Sequence, residues 1–166
     1  MKEELPKRNA ASPTFKDENR ALQELARELT LLRAHNLQFK EGDPQDKILM
    51  FAEAALVCLT LEHFVRALVG DDATDRDTLH SLLTKAVEKK QVIRLPWDDQ
   101  SEGIEKVCAV RNTILHGNYA QAAREAQCKS VADYFHSQFA GEIETMYKVT
   151  DFVMKQIDPA TGAPRR

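Results

Sequence analysis

The sequence has few aromatic residues and no long uninterrupted hydrophobic run. Aromatic residues make up 7% of the 166 residues, and the hydrophobic 43% are mostly leucine, alanine and valine. This composition favours packed helices over a β-sandwich. The longest apolar stretch, Ile48 to Leu61, is interrupted by Glu53 and is too short to span a bilayer. We therefore expect an all-α protein that does not cross a membrane.

Cysteine and histidine are also scarce, and neither is spaced for a metal site. The three cysteines, Cys58, Cys108 and Cys128, are scattered and form no CxxC pair, which is typical of reduced thiols in a cytosolic protein. The histidines include no H-x3-H or H-E-x-x-H pair. The sequence thus predicts no disulfide, no metal and no cofactor. Because the N-terminus lacks the apolar segment of a signal peptide, we expect a cytoplasmic protein.

Excess positive charge is the third thing the sequence lacks. The formal net charge is −3 at pH 7, whereas a protein that coats duplex nucleic acid is usually basic, since it binds by neutralising phosphates. Any contact with RNA must therefore depend on a local patch. The compact basic group is Lys85, Lys89, Lys90 and Arg94. Lys89, Lys90 and Arg94 are candidate substrate-binding residues, and the alternative is an ordinary solvated helix end.

Residues 12–157 have the pattern of a single helical domain, between a flexible leader at 1–11 and a flexible tail at 158–166. Apolar residues recur there at helical spacing in successive stretches, and capping signals precede most of them. These patterns predict an all-α bundle of about five helices. No strand-like alternation and no internal repeat occurs in the sequence.

Capping residues mark where the helices should begin. Ser12-Pro13 and Asp43-Pro44 each combine an N-cap residue with proline, which fits the first helical position. Thr74 to Asp77 and Ser130 to Asp133 have the spacing of a capping box and predict the starts of the third and fifth helices. Ser101 is expected to begin the fourth helix.

Glycines and apolar spacing mark where the helices should end. Gly70 is expected to end the second helix, and Gly117-Asn118 the fourth. A short helical turn is expected at residues 119–127. The apolar residues from 135 to 157 predict that the fifth helix runs that whole length without a break.

One pair of residues near the end of the fourth helix forms a recognisable pattern. Arg-x4-His occurs once, at Arg111 and His116; Asn112 follows the arginine and Gly117 follows the histidine. Two residues five apart on a regular helix are separated by roughly 140° and by about 7.5 Å along the axis, so they do not share a face. A histidine at a helix end can swing off the axis, however, and both side chains could then line one cleft.

The segment RNTILHGNY, residues 111–119, resembles the motif of the HEPN superfamily, Arg-x4-6-His with a polar residue after the arginine. The order and lengths of the predicted helices also fit that superfamily over roughly residues 15–157, and the resemblance implies an up-and-down, HEPN-like bundle. The resemblance implies a homodimer whose two motifs face each other across a shared cleft. It implies a metal-independent endoribonuclease of toxin or defence type, of plasmid or mobile-element prokaryotic origin, with RNA as substrate and a protein antitoxin or regulator as partner.

The resemblance also implies a role for each motif residue. His116 would be the acid and base, because an imidazole can exchange a proton at neutral pH. Arg111 would hold the scissile phosphate through its planar fork, and Asn112 would orient one of them or contact the RNA. The product would be a 2′,3′-cyclic phosphate. Tyr119 lies one position later than the tyrosine of HEPN toxins paired with nucleotidyltransferase antitoxins, which argues against modification at Tyr119.

Three other interpretations stay open. Arg111 could form an ordinary ion pair with Glu62 or Glu105, and His116 could be a simple polar residue at a helix end. The domain could be a non-catalytic HEPN-like module that binds RNA, a nucleotide or a protein, since a fold does not by itself establish an activity. It could also be a plain helical adaptor in which the motif is a coincidence.

Overall fold

The structure is a computed structural model that describes residues 24, 27–34, 44–158, 161 and 163–165. The expected leader at 1–11, the Ser12-Pro13 helix start and Asp43 lie outside these residues. The described chain is helical, and it contains no β structure beyond a single antiparallel bridge between Ile157 and Pro164. This confirms the all-α prediction. No helix in the described ranges has the length and apolar character needed to cross a membrane.

Seven α-helical segments follow one another along the described chain. They are α1 (27–34), α2 (Pro44–Val69), α3 (Leu79–Thr84), α4 (Gln100–His116), α5 (Tyr119–Glu125), α6 (Val131–Ser137) and α7 (Phe139–Met154). A 3-10 turn at Gly70–Asp72 follows α2, and α3 continues into a π-helical turn at Lys85–Lys89.

Helix α2 is the central helix of the bundle and packs against α3, α4 and α7. Its buried face includes Val57, Leu61 and Val65, which are fully shielded from solvent. Their spacing of four residues places them on one stripe of the helix. Burying each of these side chains stabilises the fold by about 1.5–3 kcal/mol. Helix α1 joins α7 through a bond from Arg33 Nη2 to Glu144 Oε2 of 2.7 Å.

Several helix ends agree with the sequence patterns. Helix α2 begins at Pro44 and ends before Gly70, whose φ of 63° is left-handed. Helix α4 ends before Gly117, which also has a positive φ of 67°. At the start of α6, Ser130 Oγ accepts a bond from the N–H of Asp133 at 3.1 Å. Proline, glycine and serine act here through their local backbone preferences, and tertiary packing does not override them.

The start of α3 differs from the prediction. The helix begins at Leu79, and its N-cap is Thr78, whose Oγ1 accepts a bond from the N–H of Ser81 at 3.3 Å. The expected cap at Thr74 to Asp77 was therefore misplaced. Asp77 Oδ2 does accept a bond from the N–H of Thr74, at 2.7 Å, but the bond closes a turn before the helix, because the chain makes one more reversal before it becomes helical.

The start of α4 also differs, by one residue. The N-cap is Asp99, which has an extended backbone and accepts a bond from the N–H of Glu102 at 3.1 Å. Ser101 lies in the first turn of the helix and does not begin it. A carboxylate at the N-cap is favoured by the helix dipole as well as by the bond, which explains why Asp99 is used.

The predicted unbroken helix from 135 to 157 is wrong, because the chain leaves the helical conformation at Gln138 and separates α6 from α7. On a straight helix, Tyr134 and Phe139 would lie about 140° apart. The break lets both turn inward, and each is fully buried. They join an aromatic cluster whose other members are Phe51, Tyr119 and Phe135. The packing of these rings thus outweighs the continuous apolar pattern.

The turn before α3 depends on Asp77. Its Oδ2 accepts bonds from Lys85 Nζ and from the Thr74 N–H, both at 2.7 Å, and its Oδ1 accepts one from Ser81 Oγ at 2.7 Å. The Lys85 ammonium, followed by the Thr74 N–H and the Ser81 hydroxyl, holds the pKa of the Asp77 carboxyl well below its ordinary value of 3.8. The charged form of Asp77 is therefore the form that stabilises the fold.

We expect Asp77→Asn to lower the melting temperature at pH 7. The contribution of a carboxylate with a depressed pKa is complete above the unfolded pKa, near 3.8, and is lost as the pH falls through the folded value. The gap between wild type and Asp77→Asn should therefore narrow below about pH 4. Thermal unfolding followed by circular dichroism from pH 7 to 2 measures this difference in melting temperature. Asp98→Asn, at an exposed aspartate, is the control. A difference between wild type and Asp77→Asn that stays constant in acid would contradict this role of Asp77.

Candidate functional site

Arg111, Asn112 and His116 meet at the C-terminal end of α4. Arg111 Nη1 lies 3.0 Å from His116 Nε2 and donates to Asn112 Oδ1 at 3.2 Å. His116 and Asn112 are exposed, and Arg111 is half-buried. The structure therefore brings the three residues singled out in the sequence into one group that solvent can reach.

The contact forms although His116 is still the last residue of α4. The long arginine side chain spans the angle that separates the two positions, so the helix does not have to bend. Gly117 ends the helix immediately afterwards: its N–H donates to the carbonyl of Thr113 at 3.1 Å from a left-handed conformation. The chain beyond is held by Tyr119, whose hydroxyl donates to the carbonyl of Ile114 at 3.1 Å. These two bonds fix the backbone on either side of His116.

The contact also determines which atom of the pair can accept. A guanidinium has only N–H donors and no acceptor. Since Arg111 Nη1 lies within hydrogen-bond distance of His116 Nε2, a hydrogen bond between them requires the tautomer with the ring proton on Nδ1. In that tautomer Nε2 has a lone pair, which a proton acceptor requires.

Glu62 of α2 holds the other side of the guanidinium. Its Oε2 accepts a bond from Arg111 Nη2 at 3.1 Å, and the two side chains are 20% and 19% exposed. Of the two carboxylates considered as partners, the structure selects Glu62. Glu105 instead lies 3.2 Å from His80 Nε2. We call Glu62, Arg111, Asn112 and His116 the Arg111 cluster.

Arg66 is a neighbour of the cluster that sequence reasoning missed. Its Nη2 lies 3.9 Å from Glu62 Oε1, and its guanidinium donates to the carbonyls of Thr74 and Asp77 at 2.8 and 3.1 Å. The i, i+4 spacing of Glu62 and Arg66 was the available signal. Two arginines, Arg66 and Arg111, thus lie on either side of the Glu62 carboxylate.

Two cysteines lie close to the cluster and are buried. Burial raises the pKa of Cys58 to about 12 and that of Cys108 to about 11, and the nearby charge of Arg111 lowers each only in part. Both thiols are free, as is Cys128. A neutral buried thiol is a poor nucleophile, so Cys58 and Cys108 serve as packing residues between α2 and α4.

The basic residues proposed as an RNA flank lie apart from the Arg111 cluster. Lys90 Nζ bonds Asp72 Oδ2 at 2.8 Å and the carbonyl of Val69 at 2.6 Å. That places it at the end of α2, about 10 Å along the helix axis from Glu62. Lys89 and Arg94 are exposed. Among the described residues, no bond joins Lys89, Lys90 or Arg94 to the cluster.

A groove in the described part of the chain also lies elsewhere. It has a volume of about 410 Å³, lies between α1 and α7, and includes Leu29, Arg33, Tyr147 and Met154 in its lining. None of the motif residues lines it. In the described ranges, no three histidine, cysteine or carboxylate side chains come together in a way that could hold a metal ion.

No protein-family model matches this chain, and comparison with curated proteins and with solved structures gave no match either. The function must therefore be inferred from the geometry of the Arg111 cluster itself.

We expect a thiol reagent such as Ellman's reagent at pH 8 to label Cys128 in the folded chain and to spare Cys58 and Cys108. Cys128 is partly exposed, whereas the other two are buried with raised pKa values. All three should react after unfolding. Peptide mass spectrometry identifies the labelled residues, and rapid labelling of Cys58 or Cys108 in the folded protein would contradict close packing of α2 against α4.

Proposed function

We propose that this chain is a HEPN-like, metal-independent endoribonuclease that works as a homodimer, with Arg111 and His116 at a shared cleft. It would be of the toxin or defence type and would have a protein antitoxin or regulator as partner. The resemblance of residues 111–119 to the HEPN motif motivates the proposal. The geometry of the Arg111 cluster supports it.

The observation that carries the proposal is the 3.0 Å contact between Arg111 Nη1 and His116 Nε2. Two residues whose positions diverge on the helix meet at their functional atoms, next to an exposed amide of Asn112. The arginine would provide a cation that binds a phosphate. A neutral histidine beside it would provide a base that accepts the proton of a hydroxyl. If the match to the motif were a coincidence, the side chains of Arg111 and His116 would have no need to meet.

The chemistry would be an in-line transfer within the RNA. The 2′-oxygen attacks the adjacent phosphorus, the bond from phosphorus to the 5′-oxygen breaks, and a 2′,3′-cyclic phosphate forms. The proton of the 2′-hydroxyl goes to a base, and the leaving 5′-oxygen receives one from an acid. His116 Nε2 would accept the first proton. Arg111 would stabilise the negative charge that develops on the phosphoryl oxygens.

A homodimer would add what one chain lacks, namely a second His116 to act as the acid and walls that close the site. Leu59 gives a reason to expect one, since it is 40% exposed and lies three residues before Glu62 on α2. Residues three apart share a helix face. An exposed leucine beside the Arg111 cluster is therefore suited to contact a second copy, which would bring the two clusters close together.

A second candidate is a non-catalytic HEPN-like module that binds RNA, a nucleotide or a protein. The bond between Glu62 and Arg111 favours it, because a carboxylate that holds Nη2 leaves less of the guanidinium to stabilise the charge of a transition state. The net charge of −3 also favours this second candidate over a general nuclease, because a negative chain attracts RNA weakly.

We expect the wild-type protein to cleave single-stranded RNA in the presence of EDTA and to leave 2′,3′-cyclic phosphate ends. His116→Ala should lower the cleavage rate by about 10²- to 10⁴-fold, because it removes the proton acceptor. Gel analysis of end-labelled RNA measures the rate and the chemistry of the ends.

His136→Ala is the matched control, since His136 is also an exposed helical histidine, and its cleavage rate should equal that of wild type. Equal cleavage by wild type and His116→Ala would refute the nuclease. No cleavage by wild type, together with RNA binding that Arg111→Ala abolishes, would favour the binding module instead.

We expect wild type to be a dimer in analytical ultracentrifugation and Leu59→Asp to be a monomer with little nuclease activity. A buried carboxylate at the centre of the interface would lack a partner. Phe152→Asp is the control, because Phe152 has a similar exposure of 41% but lies on α7. A monomeric wild type, or a dimer that survives Leu59→Asp and not Phe152→Asp, would contradict this interface.

A further inference from the structure

Glu62 is the member of the Arg111 cluster that comes from a different helix, and the motif does not include it. We propose that Glu62 is the positioning residue of this site: it fixes the Arg111 guanidinium, and through it the tautomer and reactivity of His116. The catalytic part of this inference rests on the proposed function. The structural part rests on contacts within a single chain.

The guanidinium of Arg111 has three contacts through its terminal nitrogens, one on Nη2 and two on Nη1. Nη2 donates to Glu62 at 3.1 Å, and Nη1 reaches His116 and Asn112 at 3.0 and 3.2 Å. The Nε atom is buried and has no hydrogen-bond partner among the described residues, so it does not help to orient the group. Because the guanidinium is planar and rigid, fixing Nη2 on a carboxylate also fixes the direction in which Nη1 points.

Glu62 is the strongest of these contacts. It carries the charge opposite to that of Arg111, and its side chain is only 20% exposed, whereas His116 and Asn112 are exposed. Opposite charges attract each other more strongly where water is partly excluded. The orientation of Arg111 is therefore determined by α2, and His116 adapts to it.

Arg66 in turn keeps Glu62 in place. It lies 3.9 Å from Glu62 Oε1 and is tied to the carbonyls of Thr74 and Asp77 after α2. The anchoring thus extends from this loop through Arg66 and Glu62 to Arg111. Without an acceptor at position 62, Arg111 Nη2 would lose its bond to α2. Arg111 would then turn towards solvent and leave His116 Nε2 without its donor.

The arrangement gives Glu62 a role during the reaction. A phosphate that binds Arg111 takes over Nη1 and releases His116 Nε2, whose lone pair can then accept the proton of the 2′-hydroxyl. Glu62 keeps its hold on Nη2 throughout, so the guanidinium stays in place while its partner changes. Binding of the substrate phosphate to Arg111 and release of His116 Nε2 from Arg111 therefore happen together.

The test is the imidazole ¹⁵N spectrum of His116 in protein labelled at histidine, without RNA. In wild type, the neutral ring should have its proton on Nδ1 and an unprotonated Nε2. Glu62→Ala should shift both nitrogens towards a mixture of tautomers. Glu62→Gln should retain the wild-type spectrum, since its amide oxygen can still accept from Nη2. The control, Glu105→Gln, changes a carboxylate outside the cluster and should leave the spectrum unchanged.

If Glu62→Ala does not fold, as judged by circular dichroism, Glu62→Asp replaces it. The shorter side chain retains the charge but withdraws it from Arg111, so the same shift is expected. A wild-type spectrum in Glu62→Ala or Glu62→Asp would overturn the proposal, as would a wild-type ring with its proton on Nε2.

A second measurement connects the position of Arg111 to cleavage. Glu62→Ala should lower kcat by on the order of 10- to 100-fold with little change in KM, because a misplaced catalytic group slows the reaction more than it weakens binding. Glu62→Gln should recover most of the rate. If wild type does not cleave RNA, the proposed nuclease fails, and the ¹⁵N comparison still decides whether Glu62 positions His116.

Discussion

The ion pair between Glu62 and Arg111 is the interaction on which the rest of the site depends. It is the bond through which α2 reaches the end of α4, and it orients the guanidinium that His116 contacts. Both side chains are about four-fifths buried, where a charge without a partner is costly. The ordinary ion pair and the proposed site, two competing interpretations of Arg111 in the sequence, are therefore compatible with one arrangement. In the proposed function, the bond that holds Arg111 in the fold also orients the guanidinium for its role.

The surrounding fold fixes where α4 ends and so fixes the backbone position of His116. Gly117 closes the helix in a left-handed conformation, and Tyr119 ties the next residues back to Ile114. The ring of Tyr119 also packs against Phe135 at 4.8 Å, so the aromatic cluster at the break between α6 and α7 holds the segment after His116. Packing in the aromatic cluster, away from Arg111, thus helps to position the exposed His116.

Local signals allowed much of the fold to be predicted, because proline, glycine and capping residues act on their own backbone. They located the start of α2 at Pro44, its end at Gly70 and the end of α4 at Gly117. The break at Gln138 could not be predicted, since it reflects how the aromatic rings pack in three dimensions. The motif likewise identified Arg111 and His116, but the choice of Glu62 over Glu105 depends on how α2 packs against α4.

If Arg111 and His116 act as one unit, as proposed, a double-mutant cycle on single-turnover RNA cleavage will reveal it. Residues that share one step give strongly non-additive losses. Rates would be compared for wild type, Arg111→Ala, His116→Ala and the double variant. We expect the double variant to be no slower than the slower of the two single variants. Losses that multiply in the double variant would show that the two residues act independently and would contradict a shared site.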